Sequence, residues 1–262
     1  MRIVLAVFAA IAFAVSLEAE APVPGKNHTI ADLKLDLLWV AAGTFLMGSP
    51  TDEPDRHQAE GPQTRVTLSR GFWLGRTELT QAQYLALTGT NPSRFTAVGP
   101  EAPVERVSWL EAMELGAKLT ERERAAGRLP EGYVYTLPTE AQWEYACRAG
   151  ATDATPGNLS AMSWHDANSG DTTHPVAQLA PNDWGFFDLS GNVLEWCYDW
   201  YGDYPGGSVT DPIGPARGHF RMARGGSWRM RLDVGRSAAR AGGSPGRQDY
   251  TIGIRIALAP ER

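Results

Sequence analysis

The chain is poor in cysteine, in concentrated positive charge and in long apolar runs, and each shortage excludes something. Two cysteines in 262 residues, Cys147 and Cys197, rule out a disulfide-dense scaffold. One bond between them and two small buried thiols are both compatible with the sequence, which gives no distance between them. Twenty-four Lys and Arg against 30 Asp and Glu, a net charge of −6, exclude nucleic acid as a partner, because phosphate binding requires a concentrated basic surface. One apolar run, residues 3–17, stops at Glu18, short of the roughly 20 residues that span a bilayer. No later segment is long and apolar enough either. No Gly-rich phosphate loop is read after a strand, and no Gly-x-Ser-x-Gly elbow is expected.

What is present points to one loop-rich domain. Twenty-eight Gly, 18 Pro and nine Trp describe an irregular backbone pinned by large aromatic side chains. Arg2, the apolar run behind it and the small residues Ala14, Ser16, Ala19 and Ala21 predict a secretory signal over residues 1–21. The expected location is therefore periplasmic or secreted, with no membrane attachment once the signal is cleaved. Residues 22–36 read as a polar leader, and residues 37–262 as the domain.

Within that domain, residues 37–40 and 44–47, split by Ala-Ala-Gly, predict a hairpin-like pair of strands. Residues 49–63 carry four acids and read as a surface loop, and residues 65–68 and 71–74 as the next strand region. Three Ser/Thr caps, each followed three residues later by Glu or Gln, open helices. These are Thr80 with Gln83, Ser108 with Glu111, and Thr139 with Gln142, predicting helices over 81–88, 109–126 and 140–148. The second should bury Trp109, Ala112, Met113, Gly116 and Leu119 and turn residues 121–124 to solvent. The third should bury Trp143, Ala146 and Cys147. Beyond Gly150 about a hundred residues lack periodicity, and loops of that length need ligands, metal or crosslinks to offset roughly 1 to 2 kcal/mol of backbone entropy per residue. The last strand signal is residues 250–258.

The densest constellation is residues 182–200, where Asp188, Asn192 and Glu195 supply hard oxygen donors and Gly191 permits a turn that aims carbonyls inward. Calcium prefers such a set, although Asx turns and a paired Glu195 account for it equally well. The five histidines, His28, His57, His165, His174 and His219, are widely spaced with no His-x-x-x-His pair; they predict no iron or zinc centre, though the pattern alone does not exclude iron.

Seven phrases carry a resemblance. They are Gly43-Thr-Phe-Leu-Met-Gly48, Glu78-Leu-Thr-Gln-Ala-Gln-Tyr84, Pro103-Val-Glu-Arg-Val-Ser-Trp109, Leu137-Pro-Thr-Glu-Ala-Gln-Trp-Glu-Tyr145, Gly185-Phe-Phe-Asp-Leu-Ser-Gly-Asn-Val-Leu-Glu-Trp196, Arg224-Gly-Gly-Ser-Trp228 and Gly253-Ile-Arg255. Their order over residues 38–259 resembles the formylglycine-generating enzyme, or sulfatase-modifying factor, family, whose relatives act in ergothioneine and pyoverdine maturation. The resemblance implies an α+β, complex C-type lectin-like fold with little regular structure. It also implies a calcium ion on Asp188, Gly191, Val193 and Glu195. A second family calcium site does not carry over, because residues 164–173 are short and depart from the pattern.

The family's oxidative chemistry places copper(I) between two cysteines just after Gly-Gly-Ser. Here the first falls on Met230 and the second within 232–235, neither of them Cys, so the resemblance implies neither a copper site nor the usual formylglycine generation. What it leaves at the groove is Ser227 and Trp228 as candidate catalytic residues, and Arg229 and Arg231 as candidate binders of an extended peptide or small anionic ligand. Arg236, Arg240 and Arg255 are expected to pair internally with acids such as Glu144, Glu195 and Asp199. Two functions follow: an exported enzyme derived from an oxidative protein- or small-molecule-modifying ancestor, or a non-catalytic, calcium-stabilised module binding a peptide, glycan or anion.

Overall fold

A computed structural model describes residues 20–155 and 157–262. The export signal expected over 1–21 lies almost wholly outside them. In chain order, β1 (His28–Ile30), β2 (Leu35–Val40), β3 (Gly43–Met47), β4 (Thr64–Leu68) and β5 (Phe72–Gly75) precede α1 (Gln81–Thr88) and α2 (Trp109–Ala125). There follow β6 (Tyr133–Thr136), α3 (Glu140–Arg148), a single turn α4 (Leu159–Met162), then β7 (Leu194–Trp200), β8 (Ser208–Thr210), β9 (Arg221–Arg224), β10 (Arg240–Gly243), β11 (Ile252–Gly253) and β12 (Ala257–Pro260). The strands form three small sheets, ordered β1-β2-β5-β12-β6, β10-β9-β7-β11 and β3-β4-β8. This is the expected α+β architecture of short elements and long connections.

All three capping boxes close as read. Thr80, Ser108 and Thr139 each accept the amide three residues on, while Gln83, Glu111 and Gln142 reach back to the cap. Gly89, in the left-handed region at φ 78°, stops α1. On α2, Trp109, Ala112, Gly116 and Leu119 are buried with Leu115, as the helical stripe requires. Glu123, however, is fully buried rather than turned to solvent, because Arg128 forks onto its carboxylate at 2.7 and 2.9 Å.

Three expectations are corrected. β2 and β3 do not pair with each other: Leu37–Val40 lies against Phe72–Gly75 and Gly43–Met47 against Thr64–Leu68, in different sheets. A two-residue hairpin needs positive φ at the turn, which Ala41-Ala42 resist, so the link carries the chain from one sheet to the next. Residues 28–35 are not a leader outside the domain; β1 zips antiparallel onto β2, and Ile30, Leu33 and Leu35 are buried in the core with Trp73, Tyr135 and Leu258. Nor is residues 49–63 merely a surface loop, since buried Glu60 forks onto Arg236 at 2.9 and 2.7 Å.

The irregular hundred residues are held chiefly by arginines and amides reaching backbone carbonyls. Arg224, fully buried, donates to the carbonyls of Ser237 and Ala238 and to Glu144. Arg240 forks onto Glu140 and reaches the carbonyls of Ala59 and Gly202, and Asn182 donates to those of Ala146 and Cys147. Each such bond satisfies a polar group that the loop would otherwise bury unpaired. The internal pairing expected of Arg236, Arg240 and Arg255 is present, with Glu60 and Glu140 as partners that the sequence did not single out.

Candidate functional site

Two neighbouring regions collect the residues singled out by chemistry. The first is the turn that enters β7. Gly191, at φ 84°, must be glycine there, since a Cβ would collide with the Trp164 carbonyl. Asp188 and Asn192 also adopt positive φ, 56° and 53°, a conformation short polar side chains tolerate. Beneath this turn lie three buried carboxylates, Glu78, Asp188 and Glu195, with one cation, Arg255.

Glu195 accepts a fork from Arg255 at 2.7 to 3.0 Å and the Trp143 indole N–H at 2.7 Å. Both its oxygens are therefore engaged, and the ion pair that the residues alone also allowed is present. Glu78 accepts the Val193 amide at 3.1 Å and the Asn192 side-chain amide at 3.0 Å. Asp188 accepts the Ala177 amide at 2.7 Å through one oxygen, while the other is buried without a partner. Burial pushes the Asp188 carboxyl up to about 6 and raises Glu78 well above the ordinary carboxylate range, with neighbouring acids adding to it. Among the described residues no three His, Cys, Asp or Glu side chains converge on one ion position, and the five histidines are dispersed. His174, for instance, stacks on Trp164 with ring centroids 3.7 Å apart.

The second region follows β9. Gly225 and Gly226, at φ 97° and 75°, turn the chain so that Ser227 and Trp228 pass under the surface. The Trp228 amide donates to the Asn192 carbonyl at 2.7 Å, and its carbonyl accepts from Ser169 at 2.8 Å, tying this loop to the first region. Ser227 is 1% exposed and Trp228 4%, so neither presents a reactive atom to solvent, against their reading as catalytic groove residues. The Ser227 hydroxyl is buried without a partner. Met230 packs against the larger core cluster. Arg231 is exposed and pairs with Asp233 at 3.0 Å. Cys147 and Cys197 are free thiols, both fully buried, which resolves the open disulfide question. Burial pushes Cys147 up to about 11 and Cys197 well above the ordinary thiol range, so neither is a nucleophile.

Around Trp228 the structure assembles residues that sequence reasoning missed. Phe95 meets Trp228 edge-on at 5.3 Å, and Tyr250 lies 6.0 Å from the indole and 6.3 Å from Phe95. Arg94 stands over the Tyr250 ring at 4.9 Å, and Arg229 bonds the Tyr250 hydroxyl while its guanidinium lies 5.7 Å from the ring. Both arginines are exposed, and neither is within ion-pair distance of a carboxylate among the described residues. Below, Glu105 gives one oxygen to the Phe95 amide at 2.9 Å and buries the other unpaired; desolvation raises its pKa. Glu78 and Glu105 stood within two of the quoted phrases without being singled out, since their polar neighbours Thr77, Thr80 and Arg106 hide their burial. Arg94 and Phe95 belong to no phrase, and nothing local marks them. The letters Gly242-Gly-Ser-Pro-Gly246 match a nucleophile elbow by spacing, which the sequence reading overlooked; no helix follows them, so the elbow geometry is absent.

A model of the sulfatase-modifying factor enzyme 1-like domain matches residues 25–260. The chain belongs to this family. The chaperone protein LppX of Paenibacillus barcinonensis is 30% identical over 249 residues, 77% of this chain and 80% of that protein. The formylglycine-generating enzyme of Thermomonospora curvata is 30% identical over 282 residues, 84% of this chain and 92% of that enzyme. Among solved structures, Treponema denticola variable protein 1 superposes with a TM-score of 0.78 and 30% identity, over 90% of this chain and 99% of that one.

Proposed function

We propose that this member of the sulfatase-modifying factor family is a non-catalytic binding module that seats an acidic peptide on the face built by Arg94, Phe95, Trp228, Arg229 and Tyr250. One observation carries the reading: two exposed guanidiniums, neither within ion-pair distance of a carboxylate among the described residues, flank the half-buried rings of Phe95 and Tyr250. Unpaired arginines on an acidic protein favour carboxylates, which they meet with forked, charge-assisted bonds. The half-buried rings of Phe95 and Tyr250, backed by buried Trp228, supply apolar area for a neighbouring side chain at little entropic cost. A relative named as a chaperone favours a polypeptide ligand over a small metabolite.

The oxidative alternative lacks donors. Copper(I) chemistry calls for two surface thiolates, and here Met230 is a half-buried thioether packed against the core while both thiols are buried and held protonated. For calcium, the buried unpaired oxygen of Asp188 fits a hard cation, with the backbone carbonyls of Gly191 and Val193 as the further ligands that the resemblance implies. Glu195 does not fit, being saturated by Arg255 and Trp143. The ion would fix the turn that holds Asn192, and through it Trp228. Export to the periplasm or medium is part of the same proposal and rests on the apolar run at 3–17.

The test incubates the protein in air with an acidic hexapeptide of Asp, Glu and Phe, and separately with a cysteine-containing peptide, followed by mass spectrometry and calorimetry. The acidic peptide should bind and both should be recovered unchanged. Oxidation of the cysteine peptide to an aldehyde would overturn the non-catalytic reading.

A further inference from the structure

A second concave site lies beside the Gly48 end of β3, and nothing above uses it. Phe45 of β3, Tyr145 of α3 and Trp184 form a continuous aromatic wall, with ring centroids 5.1 and 5.0 Å apart. The cleft they line has a volume of about 260 Å³, at the small end for ligand sites. Trp184 is 37% exposed, so an indole face is open to a ligand. We infer that this cleft binds a neutral pyranose ring.

Three features argue for a sugar rather than for an anion or a purely apolar molecule. The only charged lining residue is Arg148, and its donors are committed: to Glu144 at 2.9 Å, to the Asp153 carbonyl at 3.1 Å and to the Gly48 carbonyl at 2.9 Å. The cleft therefore presents no net charge. Its remaining side-chain polar groups are neutral and two-way hydrogen bonders: the Thr152 hydroxyl and the Gln63 amide, whose oxygen is free while its nitrogen reaches the Gly48 carbonyl at 3.4 Å; the Thr44 hydroxyl faces the other side of β3, where it bonds Thr67 at 3.0 Å. The Tyr145 hydroxyl has no partner among the described residues, and its position is built in, because a Cβ on Gly43 would collide with it. Aromatic faces for the C–H side of a ring, with neutral donors and acceptors around the rim for its hydroxyls, are the chemistry that recognises a pyranose. The site is separate from the arginine face, and the inference does not depend on that reading.

The test uses methyl β-glucoside and N-acetylglucosamine as probes, followed by saturation-transfer NMR and tryptophan fluorescence. At least one should bind saturably in the millimolar range, about 4 kcal/mol. Trp184→Ala, a change at an exposed position that leaves the core intact, should weaken it about tenfold or more, while Trp184→Phe should retain most of the affinity. No saturable binding of either sugar up to about 50 mM, or equal binding by Trp184→Ala, overturns the inference. So does binding of phenol without binding of sugar, which would mark an apolar-ring site. Displacement of the sugar by the acidic hexapeptide would place it on the arginine face instead, and overturns the inference as well.

Discussion

Replacing Arg255 by Met should be among the most destabilising single changes in this protein, and the structure lets the loss be sized. Arg255 is fully buried, forks onto Glu195 and donates to the carbonyls of Gly75 at 2.9 Å and Phe187 at 2.8 Å. It is also the cation facing Glu78 and Asp188. Methionine fills similar volume but leaves three acids together in the interior and two carbonyls without donors. Breaking a buried pair from one side costs about 3 to 5 kcal/mol, because the stranded charge cannot be rehydrated. For a domain of this size each kcal/mol moves the melting temperature by about 2 to 4 °C, so a fall of roughly 6 to 20 °C is expected in a calorimetric melt. The double variant Glu195→Gln with Arg255→Met should lose less than the sum of the two single changes, since the charge stranded by one is removed by the other. Arg255→Lys should fall between, keeping charge without the fork. A loss under about 2 °C for Arg255→Met, or strict additivity in the double variant, would refute the claim that this pair anchors the turn entering β7.

Two further outcomes follow from buried acids. Burial beside Glu140 pushes Asp199 up to about 7, so the folded state holds a proton that the unfolded chain releases above 3.8. That contribution is fully present below about pH 4 and lost as pH rises through about 7; Asp199→Asn should flatten this limb of the stability profile measured by urea titration. With calcium held at the free oxygen of Asp188, chelation with EDTA should lower the melting temperature of the wild-type protein, and Asp188→Asn should abolish that response.

Local structure was largely legible because its signals are local. The capping boxes at Thr80, Ser108 and Thr139 set helix starts with no reference to the rest of the chain, and the stripe on α2 needed only its own periodicity. Strand partnership was not legible: β2 and β3 adjoin in sequence and part in space, and β12 at the end of the chain sits between β5 and β6. Burial of charge was missed for the same reason. Glu60 and Arg224 look like surface residues until a distant partner meets them, whereas Glu123 is paired by Arg128 only five residues on. At the candidate site, the motifs singled out Asp188, Glu195 and Trp228 separately, and only the fold ties them together, through the Trp228 amide on the Asn192 carbonyl. They could not show that Glu195 was already paired, or that Arg94, more than 130 residues upstream, would share Tyr250 with Arg229.

The most direct test of the binding face is an isothermal titration of the acidic hexapeptide into the wild-type protein and into Arg94→Ala, Arg229→Ala and the double variant, at low and high salt. Each single change should weaken binding about tenfold, the loss of one charge-assisted contact, with the double variant weaker still and the wild-type affinity falling as salt rises. Equal affinity across all four proteins, or binding indifferent to salt, would contradict a site built on these two arginines.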